Sequence, residues 1–236
     1  MKLKKLVAIT LSAVMCMAAL TGCGGKSDSA KKTAKVIEVD LTDEQYAFGV
    51  DKDQPDLLKE VNQFVKDMKS DGTFDEICNR YFGDGTPVSV KSAAYDESKD
   101  QLVVATNAAF EPFEYMDGEN YVGIDMEIAK ALADKLGKEL VIQNMDFDAV
   151  CLSVGQHKCD VAMAGLTIKP DREEYVAFSD PYYSASQKLI TLSTDTEFDA
   201  CKTADDVNKI LEAKGSDLKI GFQNGTTGQF YCEGDD

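Results

Sequence analysis

Apolar residues recur along this chain in two rhythms, and the switches between them mark out its elements. From Gln101 onward, short continuous apolar runs alternate with longer amphipathic ones. "LVVAT" (102–106), "ELVIQ" (139–143), "DVAMAG" (160–165) and "QKLITL" (187–192) read as buried strands. Between the first two, "GIDMEIAKALADKLG" places Ile124, Ile128, Leu132 and Leu136 on one helical face, with Gly137 as its stop. "DFDAVCLSVGQ" reads as a shorter helix. Strand–helix–strand alternation at this spacing predicts the α/β class with a mostly parallel sheet.

The chain before Gln101 is patterned as well. "EQYAFGV" (44–50) alternates like a strand. "PDLLKEVNQFVKDMKS" opens on Pro55 and carries Leu57, Leu58, Val61, Phe64, Val65 and Met68 along one side. "DGTFDEICNRYFG" holds the capping-box spacing Thr73-x-x-Glu76 and ends at Gly83. "DGTPVSVKSAAYDESKD" reads as a linker. A helix this amphipathic needs a surface to cover, and the unit after Gln101 is the large candidate. Beyond residue 192 a second unit opens with "TADDVNKILEAKG", where Thr203 and Asp206 form a weaker variant of the same box. "LKIGFQ" (218–223) then reads as a strand, followed by the Gly- and Thr-rich "NGTTGQF".

Charge narrows the function. A formal net charge of −17 argues against nucleic acid as a partner, because phosphate binding needs basic patches. Acidity otherwise speaks mainly to solubility. A metal site is not expected: there is no CxxC pair, and the lone His157 lies in a polar turn. No cofactor motif is present.

The first residues change the picture. "MKLKKLVAITLSAVMCMAALTGC" has a basic start and an apolar run from Leu6 to Leu20, too short for a comfortable membrane span. It ends in Leu20-Thr21-Gly22-Cys23, which resembles a bacterial lipobox. The resemblance implies a lipoprotein signal peptide over 1–22, cleavage before Cys23, and lipid on that residue. Residues 23–35 then read as a flexible tether that holds the folded part off the membrane, with the lipid as the only membrane contact. Five further cysteines remain: Cys78, Cys151, Cys159, Cys201 and Cys232. An odd number leaves at least one thiol free or paired between molecules, and spacing does not assign the others.

Four stretches in order carry a wider resemblance: "LVVATNAAFEPFEY", "GIDMEIAKALADKLG", "MDFDAVCLSVGQHKCDVAMAGLTIKPDREEYVAFSDPYYSASQKLI" and "KIGFQNGTTGQFY". Together they resemble the bacterial extracytoplasmic solute-binding proteins of polar amino-acid ABC importers. The resemblance implies a two-lobe periplasmic-binding-protein type II fold, with 101–192 as the core of the first lobe and 193–236 as part of the second. "LTDEQYAFGVDKDQPDLLKEVNQFVKDMKSDGTFDEICNRYFG" is similar to the family's C-terminal segment, which here comes first. A circular permutation accounts for this order, with 36–84 packing on the first lobe and 85–100 as the rejoining linker. The second lobe then lacks what the family has after its first strand and helix, including the acid that pairs with the ligand ammonium.

The same resemblance implies a ligand-binding set of Asn107, Phe110, Phe147, Ala164, Gly165, Thr167, Arg172, Thr226 and Thr227. Arg172 would hold the carboxylate of a free amino acid, since a guanidinium fork makes paired, charge-assisted bonds. Thr167 would donate to it from its N–H and hydroxyl, while the Gly165 carbonyl and the Thr167 hydroxyl receive the ammonium. Read without the resemblance, Arg172 is a surface ion-pair partner of Asp171, Glu173 or Glu174. Phe110 and Phe147 would sandwich the ligand side chain. Thr226 and Thr227 would close on the carboxylate from the second lobe, though the same turn also reads as a plain helix cap. Asn107 stands where members that bind cationic amino acids carry an acid, which weighs against a lysine- or arginine-type ligand; Glu111 or Glu114 could still supply charge. The implied function is a lipid-anchored, non-enzymatic receptor that hands a free amino acid to an ABC permease. Alternatives are a dehydratase-like enzyme on the same fold, which would need a positioned acid, and a non-binding copy.

Overall fold

A strand from the N-terminal segment joins four from the middle of the chain in one central sheet. The computed structural model describes residues 33–215 and 218–234. The signal peptide expected over 1–22, the lipid site expected at Cys23 and the expected tether as far as residue 32 lie outside the described residues. The N-terminal part contributes β1 (Ala34–Val36), β2 (Glu44–Tyr46), β3 (Gly49–Asp51), α1 (Pro55–Ser70) and α2 (Thr73–Phe82). The next part runs through β4 (Gln101–Thr106), β5 (Ala109–Phe110), β6 (Glu114–Asp117), β7 (Asn120–Val122), α3 (Ile124–Leu136) and β8 (Glu139–Asn144). There follow α4 (Phe147–Gly155), β9 (Val161–Ala162), α5 (Pro170–Glu173), β10 (Val176–Phe178), β11 (Tyr183–Ala185) and β12 (Ile190–Leu192). The last elements are α6 (Ala204–Lys214) and α7 (Thr227–Glu233).

The central sheet has the order β10-β3-β9-β4-β8. β4 lies parallel to β8 in register from Gln101↔Glu139 to Thr106↔Asn144, and parallel to β9. β4 is buried along its whole length, so both faces of the sheet are covered. The two-residue period separates them. Leu102 and Val104 pack with Leu140, Ile142 and Met163 against α1, α2 and α3, where Val61, Phe64, Met68, Ile124, Ile128 and Leu132 are buried. Val103 and Ala105 pack with Val141 and Ala162 against Val150, Cys151 and Val154 of α4. Residues from Tyr46 to Ile77 therefore contribute to this core, and β3 is an interior strand of the sheet.

That insertion corrects the expected topology. β3 runs antiparallel to β9 and β10 antiparallel to β3, so the sheet is mixed, not mostly parallel. "QKLITL" is not a member of it. Only Ile190–Leu192 forms a strand, pairing antiparallel with β1 in a two-stranded ribbon. Ile37 and Leu41 extend that ribbon through bonds to Leu189 and Gln187. Ile37 and Val39 share a small core with Phe198 and Val207, and Leu189 packs on it. The second unit thus takes part of its core from the segments that lead into it.

Two capping expectations exchange places. Thr73 is the first residue of α2, not its cap; Gly72, at φ 88, occupies that position and no side chain caps the helix. Asp71 Oδ1 accepts from the Thr73 N–H instead, and Glu76 pairs with Arg80. At α6 the weaker box forms in full, Thr203 accepting from the Asp206 N–H while Asp206 accepts from the Thr203 N–H. "LKIGFQ" forms no strand, since no neighbouring strand among the described residues pairs with it. The linker is held along its course: Val90 exchanges backbone bonds with Tyr121, and the Ser92 hydroxyl accepts from the Ile142 N–H. No helix among the described residues is long and apolar enough to cross a membrane.

Candidate functional site

A cavity of about 540 Å³ opens beyond the C-terminal ends of β4 and β9, where open α/β sheets place ligands. Asn107 follows β4, Phe147 starts α4, and the buried loop Ala164–Thr167 follows β9. Arg172 comes from α5, and Thr226 and Thr227 from the start of α7. All nine residues expected at a ligand site line this one cavity.

Gly165 determines the shape of the loop. Its φ of +52° lies in the left-handed region, and a Cβ there would come within 3.0 Å of Phe110 Cε1. Its N–H donates to Asp125 Oδ2 at 2.8 Å. Asp125 is fully buried and also accepts from the Tyr182 hydroxyl at 2.6 Å. Burial pushes the Asp125 carboxyl up to about 6, against the lowering effect of those two bonds.

Arg172 is only 7% exposed. Its Nη1 donates to the Thr167 carbonyl at 2.8 Å and its Nη2 to the Gly225 carbonyl at 2.9 Å. The guanidinium lies 5.2 Å from the centre of the Phe147 ring, a cation–π placement. Burial lowers its pKa. Asp171, Glu173 and Glu174 make no ion pair with it among the described residues, so the sequence alternative of a surface salt bridge is not formed. The bonds from Arg172 to the Thr167 and Gly225 carbonyls use two of its five N–H donors.

The remaining expected residues divide by how far their groups are already committed. Asn107 Nδ2 donates to the Met145 carbonyl, and its Oδ1 accepts from Gln223 Nε2. Phe110 stacks on Phe113, centroids 5.6 Å apart. The Thr226 hydroxyl donates to the Gln223 carbonyl and caps α7 through Gln229, so that hydroxyl does serve as a cap. Thr167 Oγ1 donates to Glu44 Oε2 at 2.7 Å, and Thr227 Oγ1 to the same oxygen at 3.0 Å.

Two acids matter here that the pattern did not single out or only named in passing. Glu44, at the start of β2, is 3% exposed and receives hydroxyls from Thr42, Thr167 and Thr227. One acid among 42 in an acidic chain carries no local mark of that role. Glu114 lines the cavity, is 0% exposed, and neither of its oxygens has a hydrogen-bond partner. Burial first, and then the Asp125 charge, raise its pKa well above the usual carboxylate range. A neutral carboxyl buried against a cavity can donate to a ligand, or ionise when a cation arrives.

Away from the cavity, Asp51, Asp53 and His157 bring ligand-type atoms within 4.8 Å of one another. Asp51 Oδ2 lies 2.8 Å from His157 Nδ1, and that bond raises the imidazole pKa. Cys78, Cys151, Cys159, Cys201 and Cys232 are all free thiols. Burial pushes Cys78 and Cys151 up to about 11, which makes them poor nucleophiles.

The model of the bacterial extracellular solute-binding proteins, family 3, matches residues 8–84 and 102–226. The chain is 33% identical over 146 residues to the arginine-binding extracellular protein ArtP of Bacillus subtilis (strain 168), covering 58% of this chain and 57% of that relative. It is 31% identical over 127 residues to a cyclohexadienyl dehydratase of Pseudomonas aeruginosa, covering 52% of this chain and 47% of that one. Among solved structures, a mutant of the arginine-bound form of domain 1 from TmArgBP is 34% identical, with a TM-score of 0.36. That match covers 50% of this chain and 94% of the other. The chain spans about half the length of the curated relatives it matches.

Proposed function

The chain belongs to the bacterial extracellular solute-binding proteins, family 3, and from that premise we propose that its cleft captures a free amino acid with a cationic side chain, of the arginine class, for an ABC importer. The observation that carries this reading is Glu114: a buried carboxyl on the cavity wall with no partner of its own. Leaving such a group unpaired is costly, and a guanidinium or ammonium entering the cavity would repay that cost. At the other end, the Arg172 fork and the Thr167 N–H supply donors for an α-carboxylate. The arginine-binding relative supports the same ligand class.

Asn107 weighs less than it does in the sequence alone. Its amide is committed to Met145 and Gln223, so its lack of charge says little about the ligand. The anchor on Cys23 and the permuted order of 36–84 belong to the same proposal. The lipid would keep the receptor beside its permease, and the permuted segment would complete the first lobe.

Titration calorimetry with L-arginine, L-lysine, L-glutamine and L-glutamate tests the reading. The expected result is measurable heat for the first two and a weakened or absent signal for the last two. Preference for L-glutamate, or no binding of any of the four, would overturn it. A second reading rests on the same carboxyl, because a protonated buried acid is also what a dehydrating enzyme needs as its general acid. Release of product from a cyclohexadienyl acid by this chain, lost in Glu114→Gln, would favour the enzyme.

A further inference from the structure

We infer that Glu44 is a positioning residue that makes the site select for an α-ammonium group, by turning the Thr167 hydroxyl into a pure acceptor. The inference deepens the amino-acid reading above and rests on it. A threonine hydroxyl has one proton to give and two lone pairs to offer, whereas an ionised carboxylate only accepts. Thr167 Oγ1 lies 2.7 Å from Glu44 Oε2, so its proton goes to Glu44. What Thr167 presents to the cavity is then lone-pair density alone. A ligand carboxylate oxygen would be repelled there, and an N–H donor held.

Three further observations support this assignment. Gly165, two residues earlier, lines the same cavity, and its carbonyl accepts no hydrogen bond from the described residues, so it is available as a second acceptor. Glu44 forms no ion pair with a described cation, and its oxygens are met only by the hydroxyls of Thr42, Thr167 and Thr227. Its carboxylate thus meets hydroxyl donors alone, and one of them is Thr167 in the cavity wall. Thr227 is held in the same way, its proton given to Glu44 while it accepts from Gln187 Nε2 at 2.9 Å. One carboxylate from the N-terminal segment thus orients a hydroxyl on each side of the cleft. The hydroxyl of Thr167 is consequently unavailable as a donor to the ligand carboxylate, which leaves its N–H and Arg172 for that task.

The test compares L-arginine with 5-guanidinopentanoic acid, which keeps the carboxylate and the guanidinium but lacks the ammonium. Both are titrated calorimetrically into the unaltered chain, Glu44→Gln and Thr167→Val. A site that hydrogen-bonds a ligand donor rejects the analogue lacking it, here by roughly 100-fold or more. Glutamine at position 44 can donate its own amide to Thr167 and turn the hydroxyl round. Glu44→Gln should therefore bring the discrimination below about 10-fold, mostly by weakening L-arginine. Thr167→Val should collapse the same ratio by removing the acceptor, and so keeps the test open if Glu44→Gln folds poorly. Equal weakening of both ligands in both variants would mean a purely structural role and overturn the inference. Failure of the unaltered chain to bind L-arginine would instead overturn the amino-acid reading, and this inference with it.

Discussion

Arg172 donates through Nη2 to the carbonyl oxygen of Gly225 at 2.9 Å, while its Nη1 holds the Thr167 carbonyl at 2.8 Å. One guanidinium therefore joins the loop after β9 to the loop before α7. A neutral carbonyl is the weaker acceptor of the two that Arg172 can meet, because hydrogen bonds gain strength when both partners are charged. A ligand carboxylate would displace or share the Gly225 bond.

Arg172→Ala should accordingly weaken L-arginine binding by roughly 2–5 kcal/mol, the usual cost of truncating one partner of a buried charge pair. Arg172→Lys should recover only part of that loss, since an ammonium cannot reproduce the fork. Calorimetry on the three proteins decides the point. Unchanged affinity in Arg172→Ala would remove Arg172 from the site.

Glu114 should make binding release a proton. Asp125 on α3, Tyr46 on β2 and Tyr182 are the titratable groups coupled to it, and none of them brings a positive charge. Its carboxyl is raised well above the usual range in the empty cavity, and a cationic side chain would favour the ionised form. Affinity for L-arginine should therefore climb with pH until the free site is itself ionised. Titrations in buffers of different ionisation heat should return a proton release in the unaltered chain and none in Glu114→Gln. A strongly bound cationic ligand with no proton exchange would contradict the assignment.

Much of this was legible in residue order, and the exceptions have physical causes. The continuous apolar run "LVVAT" and the helical stripe of Ile124, Ile128 and Leu132 are local patterns, and each element formed where expected. The nine cleft residues were reached by resemblance, not by periodicity; Phe110 and Phe147 look like any core aromatics until the fold brings them to one cavity. Topology was less legible, because the insertion of β3 between β9 and β10 is a contact across more than 100 residues. The capping boxes show the limit of spacing alone. Gly72 in the left-handed region set the start of α2, and Thr73 fell one place too late to cap it. Glu44 could not have been chosen from sequence, since only the pairing of β2 with β11 and its bridge to Thr167 bring it to the cleft.

Stability should fall as pH rises from about 4 to about 6. Burial pushes the Asp125 carboxyl up to about 6 from its ordinary value of 3.8, so over that window the folded chain keeps a proton that the unfolded chain has lost. The stabilisation is fully present below the unfolded value and lost as pH rises through the folded one. Its size is on the order of 3 kcal/mol, at about 1.4 kcal/mol per pH unit, and Glu114 acts in the same direction. Urea unfolding at pH 4, 5, 6 and 7 should show the decline, with a shallower slope in Asp125→Asn. A stability that rises steadily across this window would contradict the burial of these two acids.

The sharpest test of the architecture lies far from the cavity. Met68 on α1 is 1% exposed and packs in the cluster that holds Leu102, Val104, Ile128 and Leu132. An N-terminal segment that merely rested on the lobe would tolerate its truncation, or would melt separately while β4 and β8 stayed folded. A segment that completes the core cannot, because the cavity left behind is shared by helices and sheet. Met68→Ala should therefore lower the unfolding free energy by about 2–5 kcal/mol. Tyrosine fluorescence and far-UV circular dichroism should report one coincident transition with an unchanged urea dependence, as expected for loss of stability without loss of cooperativity. Two separated transitions would mean that residues 36–84 fold apart from the rest, and that the first lobe does not need them.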